Sequence, residues 1–399
     1  MTEGAPWLTI IGLGEDGPAG LTDASREALM SAEIVMGPSR HLALLPDLPG
    51  ERVQWPVPFA DGLHLLEEFA GRQVAVLASG DPFWFGAGSV IARRLPPGAW
   101  RALPGVSVFS LAAARLGWPL ERTLCLGVHA APLTRLRPHL APGVRLIVTL
   151  RDGAAVAGLG EYLTSLQFGP SALWIMEALG GPRESVTETS ADAVPEGTTH
   201  PVCVAIEVAG AGPALPCASG LGDSFFDSDG VMTKRPVRAL TLSALAPCAG
   251  ETLWDIGGGS GSIGIEWLLS HPTTEAITIE PRADRIALIR ANAAALGVDR
   301  LEVVEGRAPE ALNGLIRPDA VFIGGGLSEM LLQKLFADLP SGTRLVANAV
   351  TLESEAVLLQ AQAVRGGALL RIDLSEAAPL GPRTGWKAAY PVVQWSVVL

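Results

Sequence analysis

The chain is poor in the residues that build metal or disulfide scaffolds. Its four cysteines, Cys125, Cys203, Cys217 and Cys248, form no CxxC pair. No metal site is expected, and Cys203, inside the apolar run PVCVAIEV, reads as a buried thiol. Positive charge is also scarce, with 29 Lys and Arg against 41 Asp and Glu and a formal net charge of −12. A phosphate backbone needs clustered cations, so no nucleic-acid partner is expected. Charged residues make up 18% and hydrophobic residues 48%, which excludes a disordered chain. No uninterrupted apolar run approaches the ~18 residues of a membrane helix. The opening MTEGAPWLTI carries an acid and no Lys or Arg, so no secretory leader is expected and the protein reads as cytoplasmic. His129 and His139 flank a Pro-rich stretch without a carboxylate partner and receive no role.

What the 399 residues do contain is short β-rich runs separated by helical stretches, the pattern of α/β architecture. LTIIGLG, VAVLAS, RLIVTL, ALWIME and VCVAIEV are the runs of the first half; TLWDIG, AITIE, LEVVEG, DAVFIGG and RLVANAV are those of the second. Between them lies AGAGPALPCASGLGDS, rich in Gly, Ala, Pro and Ser. The expected organisation is a domain over 1–210, a linker over 211–221 and a domain over 222–399. One helix can be tested by period: in RADRIALIRANAAAL, Ile286, Ile289, Ala293 and Leu296 share a face, with Asp284 in the first turn and Gly297 past the end.

The strongest local motif is WDIGGGSGSIGIEWLL. A strand ends in Asp255, and Gly257, Gly258, Gly259, Ser260 and Gly261 lead into a helix starting near Ser262. Such glycines let a backbone pass close beneath a ligand, with a helix N-terminus behind it. The next strand ends in Glu280, whose carboxylate can take both hydroxyls of a ribose, and the strand after that ends in Gly306-Arg307-Ala308. Two cofactors fit. Gly259, Gly261 and Gly264 satisfy GxGxxG, so a dinucleotide is one possibility. Asp255 would crowd a pyrophosphate but suits the cationic amino-acid part of S-adenosylmethionine.

A second GxGxxG, at Gly12, Gly14 and Gly17, lacks the helix that a phosphate site needs. Pro18-Ala19-Gly20-Leu21 intervene, and the first N-cap is Thr22. Two further loops follow, Ser79-Gly80-Asp81-Pro82-Phe83 and Pro104-Gly105-Val106-Ser107. Asp227 and Asp229 before Gly230 suggest an EF-hand loop, but counting places Phe225 first and Pro236 twelfth, so they read as turn acids.

The sequence of IIGLGEDGPAGLT, SGDPFWFGAG, PGVSVFSLAAARLG and ALWIMEALGGPRESVTE is similar to the tetrapyrrole methylases. The set DxGxGxG, strand-end acid and GxA resembles the class I S-adenosylmethionine-dependent methyltransferases, although many of those have an acid at the position of Arg307. GDSFFDSDGVMTKRPVRALTLSAL looks like the precorrin C15-methyltransferase (decarboxylating) group, with Thr233-Lys234 matching its Thr-Lys pair. Nearly the whole chain resembles the precorrin-6Y C5,15-methyltransferase (decarboxylating) family of cobalamin (B12) biosynthesis.

The resemblance implies a two-lobed tetrapyrrole-methylase fold followed by a class I Rossmann-like methyltransferase domain. It also implies methylation of C5 by the first domain, and C15 methylation with loss of the C12 acetate as CO₂ by the second, converting precorrin-6B to precorrin-8. S-adenosyl-L-methionine is the implied cofactor. Its implied contacts are Gly12, Gly14, Ser79, Gly80, Asp81 and Ser107 in one domain, and Thr233, Asp255, Gly257, Gly258, Gly259, Ser260, Gly261, Glu280, Gly306, Arg307 and Ala308 in the other. Lys234, Arg235 and Arg238 are the candidates for holding substrate carboxylates, or else a solvated basic helix start. Relatives of both domains self-associate, which implies a homo-oligomer. Two alternatives stay open: an NAD(P)-dependent oxidoreductase with a fused accessory domain, and a non-enzymatic tetrapyrrole-binding protein.

Overall fold

A computed structural model describes residues 6–45 and 47–399. The chain forms two compact units. The first runs to Pro132 and resumes over Ala141–Pro213; the second comprises Leu133–Leu140 and Ala214–Leu399.

In the first unit β1 (Leu8–Leu13), β2 (Ile34–Gly37), β3 (Glu51–Gln54), β4 (Val74–Ser79) and β5 (Trp100–Leu103) form a parallel sheet of order β3-β2-β4-β1-β5. β1 and β2 are buried throughout, as expected for strands covered on both faces. A second sheet holds β6 (Leu124–Gly127), β7 (Arg145–Thr149), β8 (Ala172–Glu177), β9 (Ser185–Ser190) and β10 (Val202–Glu207), in the order β6-β7-β10-β8-β9. Here only β6 and β7 run parallel, while the other pairs are antiparallel. Helices α1 (Asp23–Ser31), α2 (Ser39–Leu44), α3 (Phe59–Glu68), α4 (Ala87–Arg94), α5 (Val108–Leu116) and α6 (Ala154–Ser165) complete the unit. A 3-10 turn over Gly17–Gly20 separates the first glycine loop from α1, whose N-cap is Thr22. α1 therefore does not open directly from that loop.

The second unit is built on a seven-stranded sheet of β11 (Thr252–Ile256), β12 (Glu275–Glu280), β13 (Glu302–Glu305), β14 (Ala320–Ile323), β15 (Arg344–Ala349), β16 (Ala368–Ile372) and β19 (Val392–Val398). β17 (Ser375–Leu380) and β18 (Arg383–Ala388) form a separate hairpin. The order is β13-β12-β11-β14-β15-β19-β16, parallel except for β19, which is antiparallel to both its neighbours. The helices are α7 (Arg235–Leu245), α8 (Ser262–Ser270), α9 (Ala283–Ala295), α10 (Glu329–Asp338) and α11 (Leu352–Arg365). On α9 the face read from sequence is the buried one: Ile286, Ile289, Ala293 and Leu296 are each no more than 5% exposed. Among the described residues no helix is long and apolar enough to cross a membrane.

The Gly/Ala/Pro-rich stretch expected to be a linker is packed at both ends. The Ala211 and Gly212 amides donate to the carbonyl of Gln167, whereas the Gly220 and Leu221 amides donate to the Glu266 carboxylate in the second unit. Leu221 is 2% exposed in the core beneath α7 and α8. Composition signalled irregular backbone there, but irregular backbone with partners for its amides is ordered structure.

Candidate functional site

Each unit encloses a cavity. That of the first unit is about 630 Å³, lined by Gly14, Ser79, Gly80, Asp81 and Ser107 from the glycine-bearing loops and by Met176, Val202 and Cys203 from the second sheet. The loops are interlocked through backbone. The Gly80 amide donates to Leu13 O, and the Gly105 amide donates to Gly80 O, each at 3.0 Å. Gly12 lies beneath them and does not line the cavity: a Cβ there would stand 2.0 Å from Gly80 O and 2.2 Å from Gly105 N. Gly12 therefore has a packing role, because only a residue without a side chain lets the three loops meet. Ser107 caps α5, its Oγ accepting from the Ser110 amide at 3.1 Å, and Asp81 Oδ1 accepts from the Phe83 amide at 2.8 Å.

The polar wall of this cavity was not read from sequence. Glu15, 7% exposed, is paired with Arg40 and, at 3.2 Å, with Arg183. Arg40 also reaches His41 Nε2 at 2.8 Å and Ser79 Oγ at 3.1 Å. Burial, and secondarily Arg183, brings the Arg40 guanidinium down to about 10, and burial beside Arg40 drops His41 to about 3, so this imidazole is neutral. Arg151, His129 and His200 also line the cavity; burial lowers both histidines. The signal that could have been used is Glu15, an acid directly after the glycine pair. Arg40 and Arg151 carry none, since each meets the cavity only through the fold.

The second cavity, about 790 Å³, opens at the carboxyl ends of the parallel strands, where α/β sheets bind ligands. Thr233, Asp255, Gly257, Gly258, Gly259, Ser260, Glu280, Gly306, Arg307 and Ala308, the contacts implied by the resemblance, line it; Gly261 does not, serving instead as the N-cap of α8. Gly257 has φ +80°, and a Cβ there would meet Gly325 N at 2.6 Å, so the β11 and β14 loops require glycine at this point. Asp255, 1% exposed, accepts from the Gly264 amide and Thr278 Oγ1, each at 3.2 Å. Burial, with a smaller contribution from Glu280, pushes its carboxyl up to about 7 despite those two bonds. Glu280 accepts from the Gly259 amide at 3.0 Å and the Arg282 amide at 3.2 Å. Ser260 Oγ is buried with no hydrogen-bond partner among the described residues.

Of the three basic candidates, only Lys234 lines the cavity. Arg235 begins α7 and is exposed outside it. Arg238 is fully buried and committed. Its Nε lies 2.5 Å from Glu266, its Nη1 reaches Asp223 at 3.1 Å and Thr233 O at 2.6 Å, and its Nη2 donates to Leu221 O. It is not placed to hold a substrate carboxylate, because it is fully buried away from the cavity and four of its five N–H groups already have partners. The cations that do line the cavity with Lys234 are Arg285 and Arg307. Asp229, read as a turn acid, accepts from the Val231 amide at 3.1 Å and pairs with Arg285 at 2.9 Å.

Residues 7–195 match the family model of tetrapyrrole (corrin/porphyrin) methylases, and residues 224–399 match that of the precorrin methyltransferase domain. A precorrin-6Y C(5,15)-methyltransferase (decarboxylating) from Sinorhizobium sp. is 52% identical over 397 residues, covering 98% of this chain and 96% of its own. The chain belongs to the precorrin-6Y C5,15-methyltransferase (decarboxylating) family. A second member of that family, from Mycobacterium tuberculosis, is 40% identical over 400 residues, 98% of this chain and 99% of its own. The crystal structure of the C-terminal domain of the family's Rhodobacter capsulatus member is 54% identical and covers 46% of this chain and all of that one, with a TM-score of 0.45.

Proposed function

We propose that the protein methylates C5 and C15 of precorrin-6B and removes the C12 acetate as CO₂ to give precorrin-8, with one S-adenosylmethionine site in each unit. The first unit is assigned C5, and the second C15 and the decarboxylation. The observation that carries the reading is the pair of separate cavities, each bounded by its own glycine-bearing loops.

The residues of the second cavity fit the cofactor. The buried Asp255 carboxylate suits an ammonium group, Glu280 keeps acceptor capacity for ribose hydroxyls beyond its two amide bonds, and Ser260 Oγ is a polar atom awaiting a partner. S-adenosylmethionine supplies a methyl group already activated as a sulfonium substituent. The chain has then to align the ring carbon, and alignment at near-contact distance can supply most of the rate. Arg40 and Arg151 in one cavity, and Lys234, Arg285 and Arg307 in the other, offer charge to the ring carboxylates.

The test is calorimetric titration of the full chain with S-adenosylhomocysteine, joined to mass spectrometry of the product from precorrin-6B. Two bound equivalents, two added methyl groups and one lost CO₂ are expected. One equivalent at saturation overturns the two-site reading.

A further inference from the structure

The second cavity divides along its sheet. Asp255, Glu280 and Gly306–Ala308 stand at β11, β12 and β13, whereas Asn348 and Val392 stand on β15 and β19, beyond β14 on the other side. With the first half assigned to the methyl donor, the second half receives the macrocycle, and the role of Asn348 rests on that proposed function.

In this second half the amide of Asn348 is held by a buried relay. Thr241 Oγ1 donates to Val237 O at 2.8 Å, so its lone pairs are free to accept, and they accept from Asn348 Nδ2 at 2.9 Å and Gln394 Nε2 at 3.0 Å. Gln394 Nε2 also lies 3.0 Å from Asn348 Oδ1, across the β15–β19 pairing. Thr241 is fully buried and Gln394 is 4% exposed. Because the Thr241 hydroxyl proton is committed to Val237, the atom of Asn348 facing it must be the nitrogen, which fixes the orientation of the amide. One Nδ2–H and one Oδ1 lone pair remain, on a side chain that lines the cavity. Val350, Leu374 and Val392 are apolar residues of the same lining. A donor held this way loses little freedom when it binds.

We propose that Asn348 donates its remaining N–H to the ring acetate that is lost as CO₂, with Thr241 and Gln394 as positioning residues. A neutral donor orients a carboxylate without neutralising it. A lysine or arginine would stabilise the starting anion, whose charge must disperse as CO₂ forms, and so would raise the barrier. The apolar lining acts in the same direction, since it favours the dispersed charge over the carboxylate. Addition of the methyl group at C15 leaves the conjugated ring with one positive charge. The bond between the acetate methylene and its carboxyl carbon then breaks, its electron pair passes into that cation, and CO₂ departs. The exocyclic methylene takes up a proton as C15 gives up its own, which leaves a methyl group and balances charge.

The experiment measures CO₂ lost per methyl group transferred, by mass spectrometry of the products that the full chain makes from precorrin-6B. In Asn348→Ala and in the isosteric Asn348→Asp, this ratio should fall about tenfold or more, because the carboxylate is no longer held with its breaking bond aligned to the ring. Products bearing new methyl groups but retaining the acetate should accumulate. Thr241→Val should lower the ratio and Thr241→Ser restore it, a split that a purely structural role would not produce. Affinity for S-adenosylhomocysteine and the melting temperature report folding separately. An unchanged ratio in either Asn348 variant overturns the proposal, and an unchanged ratio in Thr241→Val overturns the positioning role. Wild-type protein that transfers no methyl group overturns instead the reading on which the proposal rests.

Discussion

Arg238 on α7 and Glu266 on α8 form an ion pair with Nε and Oε1 2.5 Å apart, neither side chain more than 3% exposed. The same carboxylate accepts the amides of Gly220 and Leu221, and the same guanidinium holds Asp223 and the carbonyl of Thr233. The pair therefore fastens the segment leading to Thr233, one wall of the second cavity, onto two helices.

Removing one member of such a pair leaves a buried charge without its partner, at a cost of about 3–5 kcal/mol. Arg238→Met should lower the unfolding free energy by that order in denaturant titration. Lys234→Ala, exposed and lining the cavity, should leave stability within ~0.5 kcal/mol and raise the KM for the tetrapyrrole. A Lys234 variant that unfolds early, or an Arg238 variant as stable as wild type, would reverse their assigned roles.

Asp255 makes the second unit sensitive to pH. Its carboxyl is raised to about 7, above the value of ~3.9 in an unfolded chain, so between those limits the native state holds a proton that the unfolded state has released. Stability conferred by this group is therefore present at low pH and falls as pH rises toward 7. Asp255→Asn should remove that slope and melt higher than wild type at pH 8. Binding of a cation runs the opposite way: affinity for S-adenosylhomocysteine at the second site should tighten as pH rises through 7, and in Asp255→Asn it should be weak and flat. Calorimetry across pH 5.5–8.5, a range of about three units around that value, distinguishes the two.

Gly12 is the point on which the first cavity's loops converge. Gly12→Ala forces a methyl group against Gly80 O and Gly105 N, and such overpacking costs about 1–3 kcal/mol. The expected outcome is loss of one of the two S-adenosylhomocysteine equivalents, with the other binding at its original affinity. Loss of both would show that Gly12 acts on more than its own loops.

Cys203 faces the first cavity at 1% exposure, and burial pushes its thiol up to about 12. Its thiolate is therefore scarce near neutrality. Iodoacetamide should label the exposed Cys217 and Cys248 in native protein and spare Cys203 until denaturant is added. Labelling of Cys203 in the native chain, mapped by peptide mass spectrometry, would contradict its burial.

Much of the chain was legible locally. Strands such as Leu8–Leu13 and Thr252–Ile256 are short β-rich runs that the fold buries throughout, and α9 and the Thr22 cap follow period and side-chain chemistry. β2, β3, β5, β6, β9 and β16–β19 were not recognised. Several are edge or exposed strands, such as Glu51–Gln54 and Arg383–Ala388, whose mixed composition does not separate them from loop.

What could be read from the residues alone are features whose evidence lies within a few positions: the glycine loops, the acids at strand ends, the buried strands and α9, and the family to which these point. Backbone conformation and burial patterns are written at that range. Tertiary structure alone decided the fate of each charge and amide. Arg238 was a free cation by composition and became a buried strut, because its partner stands 28 residues away on another helix. Glu15 met Arg40 and Arg183, and Asn348 met Thr241 and Gln394, only once the chain had folded. Whether a polar group faces a ligand or is spent on the fold depends on which donors and acceptors surround it, and that neighbourhood exists only in three dimensions.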